Sequence, residues 1–119
     1  HPSSDYAPYL WQSLQGGLAF TDEKDPEKYR ASMRASIEAG AELQRRHAGF
    51  HLLDEMMYRR AYCYDQLGQP LAAMAELLEL GRRHPFSWRL ARLDKLTQRY
   101  LHADEGRVEH EEAWSLTTR

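Results

Sequence analysis

Midway along the chain stands Leu67-Gly68-Gln69-Pro70, a helix stop followed at once by a helix start. Glycine adopts the left-handed conformation that ends a helix, and proline is pre-set for a first helical position. Before the break, Leu53, Met57, Ala61, Tyr64 and Leu67 recur at helical spacing; after it, Leu71, Met74, Leu77, Leu78 and Gly81 do the same. Residues 54–85 therefore predict a helical hairpin whose two helices show apolar stripes to each other. No strand signal competes. Alternating β-branched runs are absent, and Val108 is the single valine.

Helix signals continue on both sides. Residues 6–20 predict a first helix, capped by Ser4 or Asp5, with Pro8 in its first turn and an i, i+4 stripe of Tyr6, Leu10, Leu14 and Leu18. Gly16-Gly17 interrupts it, at a cost of about 1 kcal/mol per glycine relative to alanine. Either a neighbouring helix approaches closely there, or the helix ends or kinks. Asp25-Pro26-Glu27 is an N-cap acid, a proline at the first position and an acid facing the positive end of the helix dipole. The helix it opens runs to about Arg46, with Tyr29, Met33, Ser36, Ile37 and Gly40 on its buried face. Residues 86–102 and 107–116 predict two more helices, separated by a turn at Asp104-Glu105-Gly106.

The chain also echoes itself. Glu42-Leu43, then Arg45-Arg46-His47, recurs 37 residues later as Glu79-Leu80, then Arg82-Arg83-His84, and both copies end the second helix of a predicted pair. Met57, Arg60 and Tyr64 align with Leu93, Leu96 and Tyr100 at an offset of 36. The hairpin further matches a known repeat pattern, W-x2-L-G-x2-Y, then A-x3-F, then P, with a period of about 34 residues. Met57 stands at the Trp position, Arg60 at the Leu position, Ala61 at the small position and Tyr64 at the Tyr. Gly68 falls in the turn, Ala73 and Leu77 form the second-helix pair, and Pro85 closes the unit. The stretch resembles a tetratricopeptide repeat, departing from it at Met57 and Arg60. The resemblance implies an all-α fold of antiparallel helix pairs, stacked as a short right-handed solenoid that binds proteins and carries no chemistry of its own. A narrower resemblance covers His1-Pro2-Ser3-Ser4-Asp5-Tyr6-Ala7-Pro8-Tyr9-Leu10, which looks like a repeat junction in the tetratricopeptide lipoproteins of bacterial outer-membrane β-barrel assembly. It implies an envelope setting, periplasmic or at the outer membrane in preference to the cytoplasm.

Length and composition bound the remaining choices. The 119 residues, 42% of them apolar, suffice for one domain with its own core over residues 1–119, expected to be a fragment of a longer protein because no initiating methionine is present. A net charge of −2 argues against a dedicated nucleic-acid binder. Cys63 is the only cysteine, so no internal disulfide forms. No apolar run is long enough to span a membrane. Metal ligation finds no support: Ala48-Gly49 separates His47 from His51, and in His110-Glu111-Glu112 the second histidine of HExxH is replaced by Trp114. Gly16-Gly17 lacks the spacing of a phosphate loop. Cys63 reads as a packing residue or a partly exposed thiol, and acids and histidines form no constellation. No cofactor, metal or catalytic residue is expected.

Two surfaces remain as candidates for binding. In the family that the hairpin resembles, the first helix of each pair lines a concave groove; the register then places Glu55, Tyr58, Tyr62 and Asp65 there, facing a protein or peptide partner. Exposed tyrosines suit such recognition, the alternative being that a preceding helix covers Tyr58 and Tyr62 as core. The second candidate is a basic patch, Arg82, Arg83, Arg89, Arg92, Lys95 and Arg99, against which only Asp94 stands in that stretch. It is either neutralised by the acidic segment that follows, or offered to a small molecule, an anion or an acidic surface by a ligand-sensing domain. The expected function is thus a non-catalytic protein-interaction module, with that sensing domain as the alternative.

Overall fold

The structure, a computed structural model, describes residues 2–92 and 97–98. Its elements are α1 (Pro2–Ala19), α2 (Pro26–Arg46), α3 (Leu53–Gln66) and α4 (Pro70–Arg83), then a short 3-10 helix (Trp88–Arg92). No strand occurs among the described residues. The chain is all-helical there, as its periodicity predicts.

Local signals set most of the boundaries. Asp25 caps α2, its carboxylate accepting the Lys28 N–H at 3.0 Å, with Pro26 at the first helical position. Among the described residues Gly68 alone has positive φ, +74°, between the Gln66 end of α3 and the Pro70 start of α4. The internal echo becomes an echo of structure. Glu42 holds Arg45 at 2.5 Å and Arg46 at 2.7 Å, and Glu79 holds Arg82 and Arg83 at 2.5 Å each. His47 and His84 end their helices with nearly the same backbone, φ −135° and −134°, and each donates its N–H to a leucine carbonyl four residues back at 2.8 Å. Leu43 and Leu80, equivalent in the echo, are both fully buried.

α1 packs on α2 and α4 on α3, and α3 also touches α1, α2 and the 3-10 helix. The central helix buries Leu53, Met56, Met57, Tyr58, Ala61 and Cys63, and around it close Leu43 from α2 and Leu77 and Leu80 from α4. Ala19, Met33 and Cys63 form a second cluster, with Tyr29, Ile37, Tyr62 and Leu67 packed against it. Met57, at the position where the repeat pattern has Trp, is completely buried. Arg60, at the Leu position, is retained inside because Glu76 of α4 meets its Nη2 at 2.6 Å and Gln44 of α2 accepts from it at 3.1 Å.

Four expectations fail. α1 begins at Pro2, so Ser4 and Asp5 lie within it instead of capping it, and Pro8 stands in its interior. The stripe of Tyr6, Leu10 and Leu14 faces out, at 65%, 69% and 49% exposure, while Gln15 and Ala19 are buried. α1 approaches its neighbours through a polar seam instead: Ser36 Oγ donates to the Gln15 carbonyl at 2.8 Å, and Gln15 Nε2 donates to the Met56 carbonyl at 3.0 Å. Gly40 makes that seam possible, since a Cβ there would lie 2.8 Å from Gln15 Nε2 and 3.1 Å from Met56 Sδ. At Gly16-Gly17 the helix continues to Ala19, and Gly16 lies against the Arg59 guanidinium, 3.1 Å from where its Cβ would be. On α4, Leu71 and Leu78 face out, and Ala73, Leu77 and Leu80 face in. Finally, no α-helix starts at Phe86. The Ser87 carbonyl accepts from Leu90 N at 3.1 Å, a three-residue closure that gives 3-10 geometry. Residues 93–96 and 99–119 lie outside the described residues, among them Lys95, Arg99 and the expected helix over 107–116.

Candidate peptide-binding cleft

The N-terminal turn of α3 carries Asp54 and Glu55, acids placed where the helix dipole favours them. Both are also anchors for other segments. Ser87 Oγ donates to Asp54 at 2.8 Å, and Arg89 spans the pair, with Nη1 3.1 Å from Asp54 and Nη2 2.9 Å from Glu55. Glu55 further accepts from Gln12 Nε2 of α1 and pairs with Arg59 one turn along α3 at 3.3 Å. The Arg59 Nη1 in turn donates to the Gln12 carbonyl at 3.1 Å. Two carboxylates thus tie α1, α3 and the 3-10 helix together.

Between those three segments lies a half-open cleft of about 360 Å³, lined by Phe20, Glu55, Tyr58, Arg59, Tyr62, Trp88 and Arg89. Its walls are aromatic, and its cations lie on them. The Arg59 guanidinium is 5.8 Å from the Phe20 ring centre, and that of Arg89 is 4.6 Å from the Trp88 ring centre. Phe20 also packs on Tyr62, ring centres 5.4 Å apart. Phe20 and Trp88, each 60% exposed, form the rim. Burial raises the Tyr62 phenol far above its ordinary range, with Tyr29 adding to the effect, so Tyr62 remains a neutral hydroxyl at physiological pH.

The groove set expected from the sequence is divided by this geometry. Glu55, Tyr58 and Tyr62 meet at the cleft; Asp65, further along α3, does not line it. Neither tyrosine stands on an open face. Tyr58, at 9% exposure, belongs to the core cluster while also lining the cleft, and Tyr62 is half-buried. The reason is that α1 and the 3-10 helix close over α3 from both sides. Of the basic patch, only Arg82, Arg83 and Arg89 have described side chains. Arg82 and Arg83 are exposed but paired with Glu79, and Arg89 turns inward to 8% exposure between two carboxylates. Sequence reasoning missed Phe20, Arg59 and Trp88, which follow or precede helix boundaries or share Glu55's face one turn on; only the i, i+4 spacing of Glu55 and Arg59 could have signalled any of them.

Other candidates resolve as packing. Cys63 is fully buried, and burial pushes its thiol up to about 11 against the opposing influence of Ser36 and Arg59. His51 packs against Tyr9 and Phe50, with ring centres 6.0 and 5.1 Å away. Among the described residues, no three side chains of His, Cys, Asp or Glu gather as metal ligands, and no helix is long and apolar enough to cross a membrane.

Compared with protein-family models, with curated proteins and with solved structures, the chain finds no match in any of the three.

Proposed function

We propose that this chain is a non-catalytic protein-interaction module, built of tetratricopeptide-like helix pairs stacked as a short solenoid, which grips a peptide segment of its partner in the cleft over α3. One observation carries the reading. Every described residue of the cleft comes from α3, from the residue that follows α1, or from the 3-10 helix, and none comes from α2 or α4. First helices of successive pairs line the groove in the repeat family that the hairpin resembles. The matching ends of α2 and α4 support a repeat architecture independently. The resemblance over residues 1–10 suggests an assembly scaffold of the bacterial envelope as the setting. A ligand-sensing role for Arg-rich helix ends has less support, because Arg45, Arg46, Arg82 and Arg83 already hold intrahelical carboxylates.

Panning a random peptide library, displayed on phage, against the chain tests the proposal. Peptides should be enriched on the native chain and lost on the Tyr62→Ala/Trp88→Ala variant with its helical circular dichroism intact. Failure to enrich any peptide, or enrichment that ignores the two substitutions, would refute it.

A further inference from the structure

The two signs of charge in the cleft are unequally available. Glu55 already accepts from Gln12, Arg59 and Arg89, and Asp54 behind it accepts from Ser87, Arg89 and the Glu55 N–H at 2.9 Å. With three of about four acceptor sites taken on each, each carboxylate keeps about one for an incoming cation. Among the described residues the guanidiniums are less filled. Arg59 spends one Nη1 bond on the Gln12 carbonyl and one Nη2 contact on Glu55, and Arg89 spends one bond from each Nη. A planar guanidinium carries more N–H donors than these, arranged as a fork that fits a carboxylate. Both forks border a cavity of about 360 Å³ whose rim is aromatic, room for one large side chain.

From this inventory we infer that the cleft selects a partner segment in which an aromatic side chain stands beside an internal Asp or Glu. The ring enters between Phe20, Tyr62 and Trp88, and the neighbouring side-chain carboxylate takes the open donors of Arg59 and Arg89. Net charge alone would not predict this, since Asp54 and Glu55 balance the two arginines; the unfilled donors do. The inference rests on the proposed function and names the chemistry of its partner.

Three capped, fluorescein-labelled peptides test it on the full chain by fluorescence polarisation: a Trp flanked by Glu, the same Trp flanked by Lys, and the Glu peptide with Trp replaced by Ala. Capping leaves no terminal carboxylate to bind. The Glu–Trp peptide should bind at least tenfold more tightly than either control. Trp88→Ala should abolish its binding, and Arg59→Gln, checked for native circular dichroism, should remove the preference for Glu over Lys. Equal or tighter binding of the Lys peptide would overturn the inference, as would indifference to Trp88→Ala. Binding that emerges only with Trp114→Ala would also overturn it, assigning the cleft to the chain's own Glu111-Glu112-Ala113-Trp114 segment. If none of the three peptides binds while library panning still yields cleft-dependent ligands, the acidic-aromatic inference falls and the interaction module stands.

Discussion

Replacing Arg60 and Glu76 separately and together tests how the hairpin accommodates a charge inside. The two side chains are each only 12% exposed and meet at 2.6 Å, with Gln44 of α2 as a further acceptor at 3.1 Å. The Arg60 Nε is buried without a hydrogen-bond partner among the described residues, so the guanidinium has been taken out of water and only partly repaid in contacts. Breaking a buried pair by removing one partner typically costs about 3–5 kcal/mol, because the other charge stays behind. The little exposure that remains sets the expectation near the lower figure. Glu76→Leu and Arg60→Leu should therefore each remove about 3 kcal/mol, a large part of the roughly 5–15 kcal/mol that holds an ordinary domain together. The double substitution restores the leucine of the repeat pattern opposite a second leucine. It should be close to neutral, or more stable than the native chain, as hydrophobic replacements of buried pairs often are. Urea unfolding followed by circular dichroism gives all four corners of the cycle. A double variant as unstable as the singles, or singles costing under about 1 kcal/mol, would refute the account of a charge held inside by one carboxylate.

Ala61 is completely buried between α3 and its neighbours, so Ala61→Leu should cost about 1–3 kcal/mol by overpacking, read as a fall in melting temperature. Tyr58→Ala should cost fold stability as well, about 3–5 kcal/mol as large-to-small aromatic changes do, whereas Trp88→Ala on the exposed rim should leave the urea midpoint nearly unchanged. Cys63 should resist Ellman's reagent at pH 8 in the native chain and react fully in denaturant, because burial holds its thiol at about 11. Glu79 is held down at about 2 by Arg82 and then Arg83, below its ordinary 4.5, so its contribution to stability is present above pH 4.5 and fades as the pH falls toward 2. Thermal melts across that window should lose this dependence in Glu79→Gln, and added salt should shrink it.

What could be read from the sequence was what local chemistry decides. Asp25-Pro26 starts α2, Gly68 and Pro70 end and start helices, and the two Arg-Arg-His ends close as copies, since each needs only residues within a turn or two. Which face a helix buries is a tertiary matter, and there periodicity misled. Leu10 and Leu14 formed the apolar stripe of α1, yet the seam runs through Gln15, Ser36 and Gly40, where the small serine and glycine, with Gln15 Nε2 and Ser36 Oγ each donating to a carbonyl, let the helices approach more closely than leucines would. Arg89 shows the same gap in another form. Counted by sign along the chain it belonged to a basic patch, but two carboxylates 34 and 35 residues away bury it. Charge counting has no access to such pairings. The groove residues Glu55, Tyr58 and Tyr62 did come together, because the register of α3 follows from its own spacing. Phe20 and Trp88 did not emerge, because they reach the cleft only through the way their segments pack.

Asp54 and Glu55 explain why a cleft forms at all. As acids in the first turn of α3 they are favoured by the helix dipole, and as acceptors they hold Gln12 of α1 on one side and Ser87 and Arg89 on the other. The flanking segments are thus pinned near the start of α3 by polar contacts. Toward the far end, Phe20 and Tyr62 meet through their rings, and between these two points the aromatic walls stand apart. Hydrophobic collapse alone would draw Trp88 onto Tyr58 and Tyr62 and close the space. Fixed carboxylate–guanidinium distances oppose that, since a salt-bridged arginine stacked on Trp88 holds the ring at the rim. The same ion pairs that fasten the 3-10 helix to the core are therefore what keep the cleft open.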